Sequence, residues 1–275
     1  MEEAEKIIDV EKSIRESGSK FLRSLPGFMI RMIRKIVHED EINYTINRSR
    51  HLEGVPFIID VLKGWNVNLI IKGEENIPES GRYIFAANHP VGGIDALSIY
   101  CTIFRHYTDV VSPANELLNI IPNLRPLVLG LNVFGRNNRK VAAKIDELYA
   151  SSNQVMIFPS GEVSRRRKGI ISDPVWQKSF ITKAIQHKRD IIPVHISGRN
   201  SNLFYNTARL REILGIKMYI ETMLLPREMM KQRDSTTTVT VGNPIPYQAL
   251  TDELSHQEWA QKMRDLVYLL PETYK

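Results

Sequence analysis

Asn88-His89-Pro90-Val91-Gly92-Gly93-Ile94-Asp95 puts an imidazole, a carboxylate and two glycines into one short stretch. Neutral imidazole can take a proton from a hydroxyl near neutral pH. A carboxylate can hold that imidazole in one tautomer and stabilise the imidazolium that forms. Backbone N–H groups beside glycines can approach a developing oxyanion. Each residue also has a plainer use: Asp95 as a helix N-cap, His89 as a loop histidine satisfying nearby backbone. The apolar run Tyr83-Ile84-Phe85-Ala86-Ala87 before the stretch reads as a buried strand, and the Gly-free run 96–104 after it reads as a helix. His89 and Asp95 therefore belong to a strand-to-helix turn.

Three further polar, Gly-containing segments follow apolar runs: Gly130 to Asn137, Phe158 to Gly169 and Ile192 to Asn200. In open α/β sheets ligands bind beyond the carboxyl ends of the strands, so these turns are expected to line one crevice with His89. Gly92, Gly93 and Gly161 are candidate oxyanion donors. Arg136 is either a solvated turn residue or a contact to an anionic group. Glu162 either bonds a substrate or braces its loop. Ser160 lacks the Gly-x-Ser-x-Gly elbow spacing of a nucleophile. Arg165-Arg166-Arg167-Lys168 is a solvated charge run, or attracts phosphates, an acidic protein or anionic lipid if it lies beside the site. His195 is expected in the core and His187 on the surface. No His/Cys/Asp spacing indicates a metal site, and the single cysteine, Cys101, reads as a small packed residue.

Around these segments the pattern alternates. Helices are expected over 55–64, 138–150, 174–187 and 251–270, and strands over 67–72, 109–113, 154–159, 190–196, 217–221 and 236–241. Such alternation predicts an α/β fold: a mixed, largely parallel sheet flanked by helices. Residues 1–40 differ. The stretch Lys20 to Val37 carries basic residues and no acid, and after Pro26-Gly27 the positions Arg31, Arg34 and Lys35 share a helical face. This N-terminal basic amphipathic helical segment suits either a membrane interface or docking on the protein's own core. The expected organisation is thus 1–40 as that segment and 41–275 as the α/β domain.

The chain has 275 residues, 43% hydrophobic and 25% charged, an ordinary globular balance, with a formal charge of +6 that suits an acidic partner. No run approaches the ~20 apolar residues of a spanning helix, and the acidic N-terminus lacks a signal-type apolar region. A cytoplasmic protein, peripheral on the inner face of the cell membrane, is the expectation. Nucleic acid is not expected as a partner, because the basic residues are not interleaved with stacking aromatics.

In their order, Asn88-His89…Asp95, Phe134-Gly135-Arg136, Phe158-Pro159-Ser160-Gly161 and Ile192-Pro193-Val194 resemble the motifs of the glycerolipid acyltransferases, over roughly residues 65 to 245. The Asn-His-Pro-x-Gly-Gly-x-Asp turn is most similar to the bacterial branch that includes ornithine- and glycine-lipid O-acyltransferase-like, haemolysin-like proteins. The resemblance implies transfer of a fatty acyl group from a thioester, acyl carrier protein or coenzyme A, to the hydroxyl of a lyso-lipid. It implies no cofactor and no metal, with His89 as general base and Asp95 as its partner. It also implies Asn88, Gly92, Gly93, Arg136, Ser160, Gly161, Glu162 and Arg165 around the substrates. Two features depart from the family pattern. His89 and Asp95 have five residues between them where four are usual. Val163 occupies the position of an arginine that in the resembled enzymes helps hold an acceptor phosphate, which points away from lysophosphatidate and toward an amino-acid lipid unless Arg165 or Arg166 substitutes. A lipid hydrolase or thioesterase, or a non-catalytic lipid-binding relative, are the alternative readings.

Overall fold

The structure, a computed structural model, describes residues 6–131, 138–216 and 219–274. Four helices open it: α1 (Val10–Arg15), α2 (Lys20–Arg23), α3 (Gly27–Ile36) and α4 (Glu39–Arg48). Then come α5 (Gly54–Gly64), β1 (Asn68–Lys72), β2 (Tyr83–Ala87), α6 (Gly93–Phe104), β3 (Val110–Asn115), β4 (Val128–Leu131), α7 (Asn138–Ala150) and β5 (Gln154–Ile157). A two-stranded hairpin, β6 (Arg165–Arg167) and β7 (Ile170–Ser172), precedes α8 (Ser179–His187) and β8 (Asp190–Ile196). The chain closes with α9 (Asn202–Ile213), α10 (Leu225–Met230), β9 (Thr236–Val241) and α11 (His256–Thr273).

Among the described residues, seven strands form one sheet in the order β1-β9-β8-β2-β5-β3-β4. Only the β8–β9 pairing within it is antiparallel. The mixed, largely parallel sheet expected from the sequence is therefore present. Strand β2 shows why its residues are apolar throughout: Phe85 and Ala87 join the core under α5 and α6, while Ile84 and Ala86 join the core under α8 and α11. With both faces covered, β2, β5 and β8 run side by side, and their carboxyl ends converge on one edge.

Several expected elements differ. The helix expected from Pro174 begins only at Ser179; Pro174 to Gln177 carry no regular secondary structure, and Trp176 is completely buried in the second core. Of the strand expected over 217–221, residues 217 and 218 lie outside the described residues, and Ile220–Leu224 is a 3₁₀ helix. The last helix starts at His256, because Ser255 and Glu258 form a reciprocal capping box there. Strand β4 and the hairpin have no clear period in the sequence. At the N-terminus, α1 and α3 pack on Ile14, Leu25 and Ile30. Buried Glu39 of α4 binds Val10 N–H at 2.9 Å, Arg34 at 2.9 Å and Lys6 at 3.0 Å, so residue 40 falls inside a helix that ties the segment down.

Candidate active site

The turn after β2 brings His89 and Asp95 together. His89 Nδ1 lies 2.8 Å from Asp95 Oδ2. The same oxygen accepts the backbone N–H groups of Val91 and Gly92, each at 2.9 Å. Asp95 is the third residue of α6 and not its N-cap, which is Gly92; its side chain closes the first turn by accepting the Gly92 N–H and also bonds the His89 ring. An oxygen accepting two N–H bonds acts as acceptor toward imidazole too, which assigns the proton to Nδ1 and leaves Nε2 as the basic atom. Nε2 has no hydrogen-bond partner among the described residues, and the His89 side chain is 18% exposed, enough for a substrate to reach it. The extra residue between His89 and Asp95 is absorbed at Gly92, whose φ of 133° and ψ of −127° suit glycine alone.

His89 is fixed from three more directions. Its ring stacks on Phe158, centroids 3.9 Å apart and planes 12° from parallel. Its carbonyl accepts Ser164 N–H at 2.7 Å. Its N–H donates to the buried carboxylate of Asp173 at 3.1 and 3.2 Å. Asp173 also accepts Ser164 Oγ–H at 2.6 Å and Trp176 Nε1–H at 3.0 Å. Nothing in the sequence around Asp173 marks it; it stands before a proline at the foot of the hairpin. The Phe158 segment thus holds His89 through Phe158 and Ser164, with Asp173, just beyond it, completing the grip.

The other expected site residues sit as follows. Asn88 is buried and uses its side-chain amide to join β2 to β8: Nδ2 donates to Ile196 O at 2.9 Å, and Oδ1 accepts Ile196 N–H at 2.7 Å. The N–H groups of Gly92 and Gly161 are already engaged, by Asp95 and by Phe158 O at 2.9 Å. Gly93 is the first residue of α6, where the N–H has no partner inside the helix and the helix dipole favours negative charge. Ser160 Oγ–H donates to Glu162 O at 2.7 Å, a loop-bracing bond. Arg136 lies outside the described residues.

Arg165 is buried, between the rings of Phe204 at 5.3 Å and Tyr219 at 6.0 Å. It pairs with Glu162 at 3.2 Å and with fully buried Glu221 at 3.3 Å, and Glu221 is shared with Arg211 at 2.9 Å. Its Nη1 is buried with no hydrogen-bond partner among the described residues. Val163 is buried against Phe204, Tyr205 and Leu225. A Cβ on Gly92 would lie 3.5 Å from Leu225 and 3.9 Å from Val163, so Val163, at the position where the resembled enzymes carry an arginine, forms an apolar wall beside the His89–Asp95 turn.

A cavity of about 440 Å³ opens beside Asn88 and Pro90, lined also by Ser164, His195, Arg199 and Tyr268. Burial pushes the His195 imidazole down to about 4, with Asp173 opposing weakly, so at neutral pH it lines the cavity uncharged. A second cleft of about 460 Å³, at Tyr44, Arg48, Trp65 and Arg233, touches none of the motif residues. His187, expected on the surface, is half-buried and bonds Asp146 at 2.9 Å. Burial drives the Cys101 thiol up to about 12, which makes it unreactive. Among the described residues no group of His, Cys, Asp or Glu is arranged to hold a metal ion, and no helix is long and apolar enough to cross a membrane.

The turn thus sets an imidazole against a carboxylate at the carboxyl edge of the parallel strands β2, β5 and β8. Residues 12–274 match the family model described as "Acyltransferase", so the chain belongs to the acyltransferase family and is an acyltransferase enzyme. It is 39% identical over 265 residues to the lyso-glycine lipid O-acyltransferase of Bacteroides thetaiotaomicron, covering 96% of this chain and 97% of that protein. It is 37% identical over 265 residues to the protein of the same name from Phocaeicola vulgatus, covering 96% and 95%. Among solved structures it is similar to the 1-acyl-sn-glycerophosphate acyltransferase PlsC of Thermotoga maritima, with a TM-score of 0.46 and 15% identity over 89% of this chain and 92% of that one.

Proposed function

We propose that the protein transfers a fatty acyl group from a thioester, carried by acyl carrier protein or coenzyme A, to the hydroxyl of a lyso-glycine lipid at the inner face of the cell membrane. The observation that carries this reading is the His89–Asp95 pair with its unpartnered Nε2, in a chain whose relatives of nearly equal length bear that acceptor in their names. The buried Val163 supports an acceptor other than a phosphate lipid, because the wall beside the turn offers no cation at that position.

In this reading His89 Nε2 takes the acceptor hydroxyl proton as its oxygen attacks the thioester carbonyl. A positioned base of this kind contributes about 10²–10⁴-fold. Asp95 stabilises the imidazolium through Nδ1–H. The tetrahedral oxyanion forms at the N-terminus of α6, where Gly93 N–H is the available donor. Collapse of the intermediate breaks the C–S bond, and the imidazolium proton goes to the departing thiolate. The products are an ester and a thiol, so the step needs no metal and no covalent enzyme intermediate.

The test is acyl transfer from labelled acyl carrier protein and acyl coenzyme A to a panel of lyso-glycine, lyso-ornithine and lysophosphatidate acceptors, comparing wild type with His89→Ala. His89-dependent ester formation on lyso-glycine lipid is the expected result. Release of free fatty acid without ester would make the enzyme a hydrolase. Preference for lysophosphatidate would reject the acceptor.

A further inference from the structure

Helix α9 is apolar on both sides. Its inner face buries Phe204, Tyr205 and Ala208. At about 3.6 residues per turn, Leu203, Leu210 and Leu214, just past the helix end, fall on the opposite face, with Ile213 at its margin. These four side chains are 49–70% exposed among the described residues. Inner residues suffice to fold the helix, so an outer row of aliphatics has no folding role; a contiguous exposed apolar face of this kind marks an interaction surface.

The β6–β7 hairpin continues this surface. Arg166 bonds the side chains of Asn202 and Asn206, and Asn206 lies on the same outward face as Leu203 and Leu210. The hairpin therefore runs along the outer flank of α9. Its tip presents exposed Ile170 beside exposed Arg167 and Lys168, and Arg209 flanks the aliphatic row on α9. The one acidic residue of α9, Glu212, points away from the row and pairs with Arg211. Apolar side chains rimmed by cations complement an anionic bilayer, whose headgroups attract the bases while its acyl region takes the aliphatics. The same surface leads to the candidate site: the inner side of α9 packs on Val163 and Arg165, and the feet of the hairpin, Ser164 and Asp173, hold His89.

We infer that the outer face of α9, with the hairpin tip, is where the protein rests on an anionic lipid bilayer, beside the site that receives the acceptor. The inference takes from the preceding section only that the acceptor is a membrane lipid. It differs from docking through α3, whose exposed Phe28 and Met32 belong to the N-terminal helices.

The experiment uses the full chain and sedimentation with vesicles of phosphatidylcholine alone or with added phosphatidylglycerol. Wild type is expected to bind the anionic vesicles more tightly. Leu210→Glu/Ile213→Glu/Leu214→Glu should lower that affinity by about tenfold or more, and Arg167→Gln/Lys168→Gln should abolish the preference for anionic lipid. Both variants should unfold thermally like wild type, because the altered side chains are exposed. If the triple variant misfolds, the glutamine variant carries the test. Phe28→Glu/Met32→Glu should bind as wild type does. Unchanged binding by both α9 and hairpin variants, or loss of binding only in the α3 variant, would overturn the proposal. So would a triple variant that dissociates a dimer, or loses affinity for acyl carrier protein, with vesicle binding intact. If wild type forms no ester with any acceptor while the vesicle results hold, the acceptor reading fails and the docking surface stands.

Discussion

The backbone N–H of His89 donates to both carboxylate oxygens of Asp173, at 3.1 and 3.2 Å, across 84 positions of sequence. The same carboxylate takes Ser164 Oγ–H, and Ser164 N–H returns to His89 O at 2.7 Å. The imidazole is therefore held at both ends: at its ring by Asp95 and Phe158, and at its main chain by the two feet of the hairpin. Asp173 touches no reacting atom in this arrangement and is a positioning residue.

Asp173→Asn keeps one acceptor oxygen but turns an NH₂ toward groups that are already donors. Its kcat should fall about tenfold to a hundredfold, since sub-ångström misplacement of a base is costly, while KM for both substrates changes little. Steady-state kinetics with both substrates checks this. A rise in KM with kcat intact would mean that Asp173 serves binding instead.

Asp95→Asn leaves the geometry of the turn nearly intact but favours the wrong imidazole tautomer. A loss in kcat of about 10³–10⁴-fold is expected, on the pattern of other Asp-backed imidazoles. Less than a tenfold loss would reduce Asp95 to a helix cap.

Gly92→Ala tests the five-residue spacing. The added Cβ has room, at 3.5 Å from Leu225 and 3.9 Å from Val163, so the cost is backbone strain at φ 133°. A destabilisation of about 1–3 kcal/mol should accompany a fall in kcat as His89 and Asp95 separate. Chemical denaturation of the Ala variant, alone and combined with Leu225→Ala, separates the causes. Rescue by Leu225→Ala would show crowding, not strain.

His195 gives a pH dependence of stability. Burial holds its imidazole at about 4 in the folded protein, against 6.5 ordinarily. Between these values the unfolded chain binds a proton that the folded one refuses, so stability is full above 6.5 and declines as pH falls toward 4. The decline amounts to about 3 kcal/mol from this residue. Urea denaturation at pH 7, 5.5 and 4.5 should show it, with a shallower slope in His195→Gln. Equal slopes in the two proteins would remove His195 as the cause.

The sequence by itself determined the sheet strands that carry the site and the partnership at its centre. Strands β2, β5 and β8 are short apolar runs ended by polar turns, and burial on both faces writes that pattern locally, residue by residue. His89 and Asp95 are close enough in the chain for one turn to join them, and Gly92 signals that the turn can be made. Acyltransferase chemistry was legible from four motifs in order; of these, Asn88-His89 and Phe158-Pro159-Ser160-Gly161 directly follow the adjacent strands β2 and β5, and Ile192-Pro193-Val194 lies within β8. Only the tertiary structure decided what the remaining polar residues do. Asn88 bonds the backbone of Ile196, 108 positions away, and Asp173 and Ser164 grip His89. Arg165, expected either in a solvated run of bases or around the substrates, is buried between two aromatic rings and paired with Glu162 and Glu221. Pro174 to Gln177 stay out of α8, and Trp176 enters the second core. Leu203, Leu210 and Leu214 face outward while Phe204, Tyr205 and Ala208 fill the inner side of α9. A side chain's period along the chain is a local property, whereas its partners are chosen by which distant segments pack against it, and only the packed structure makes that choice.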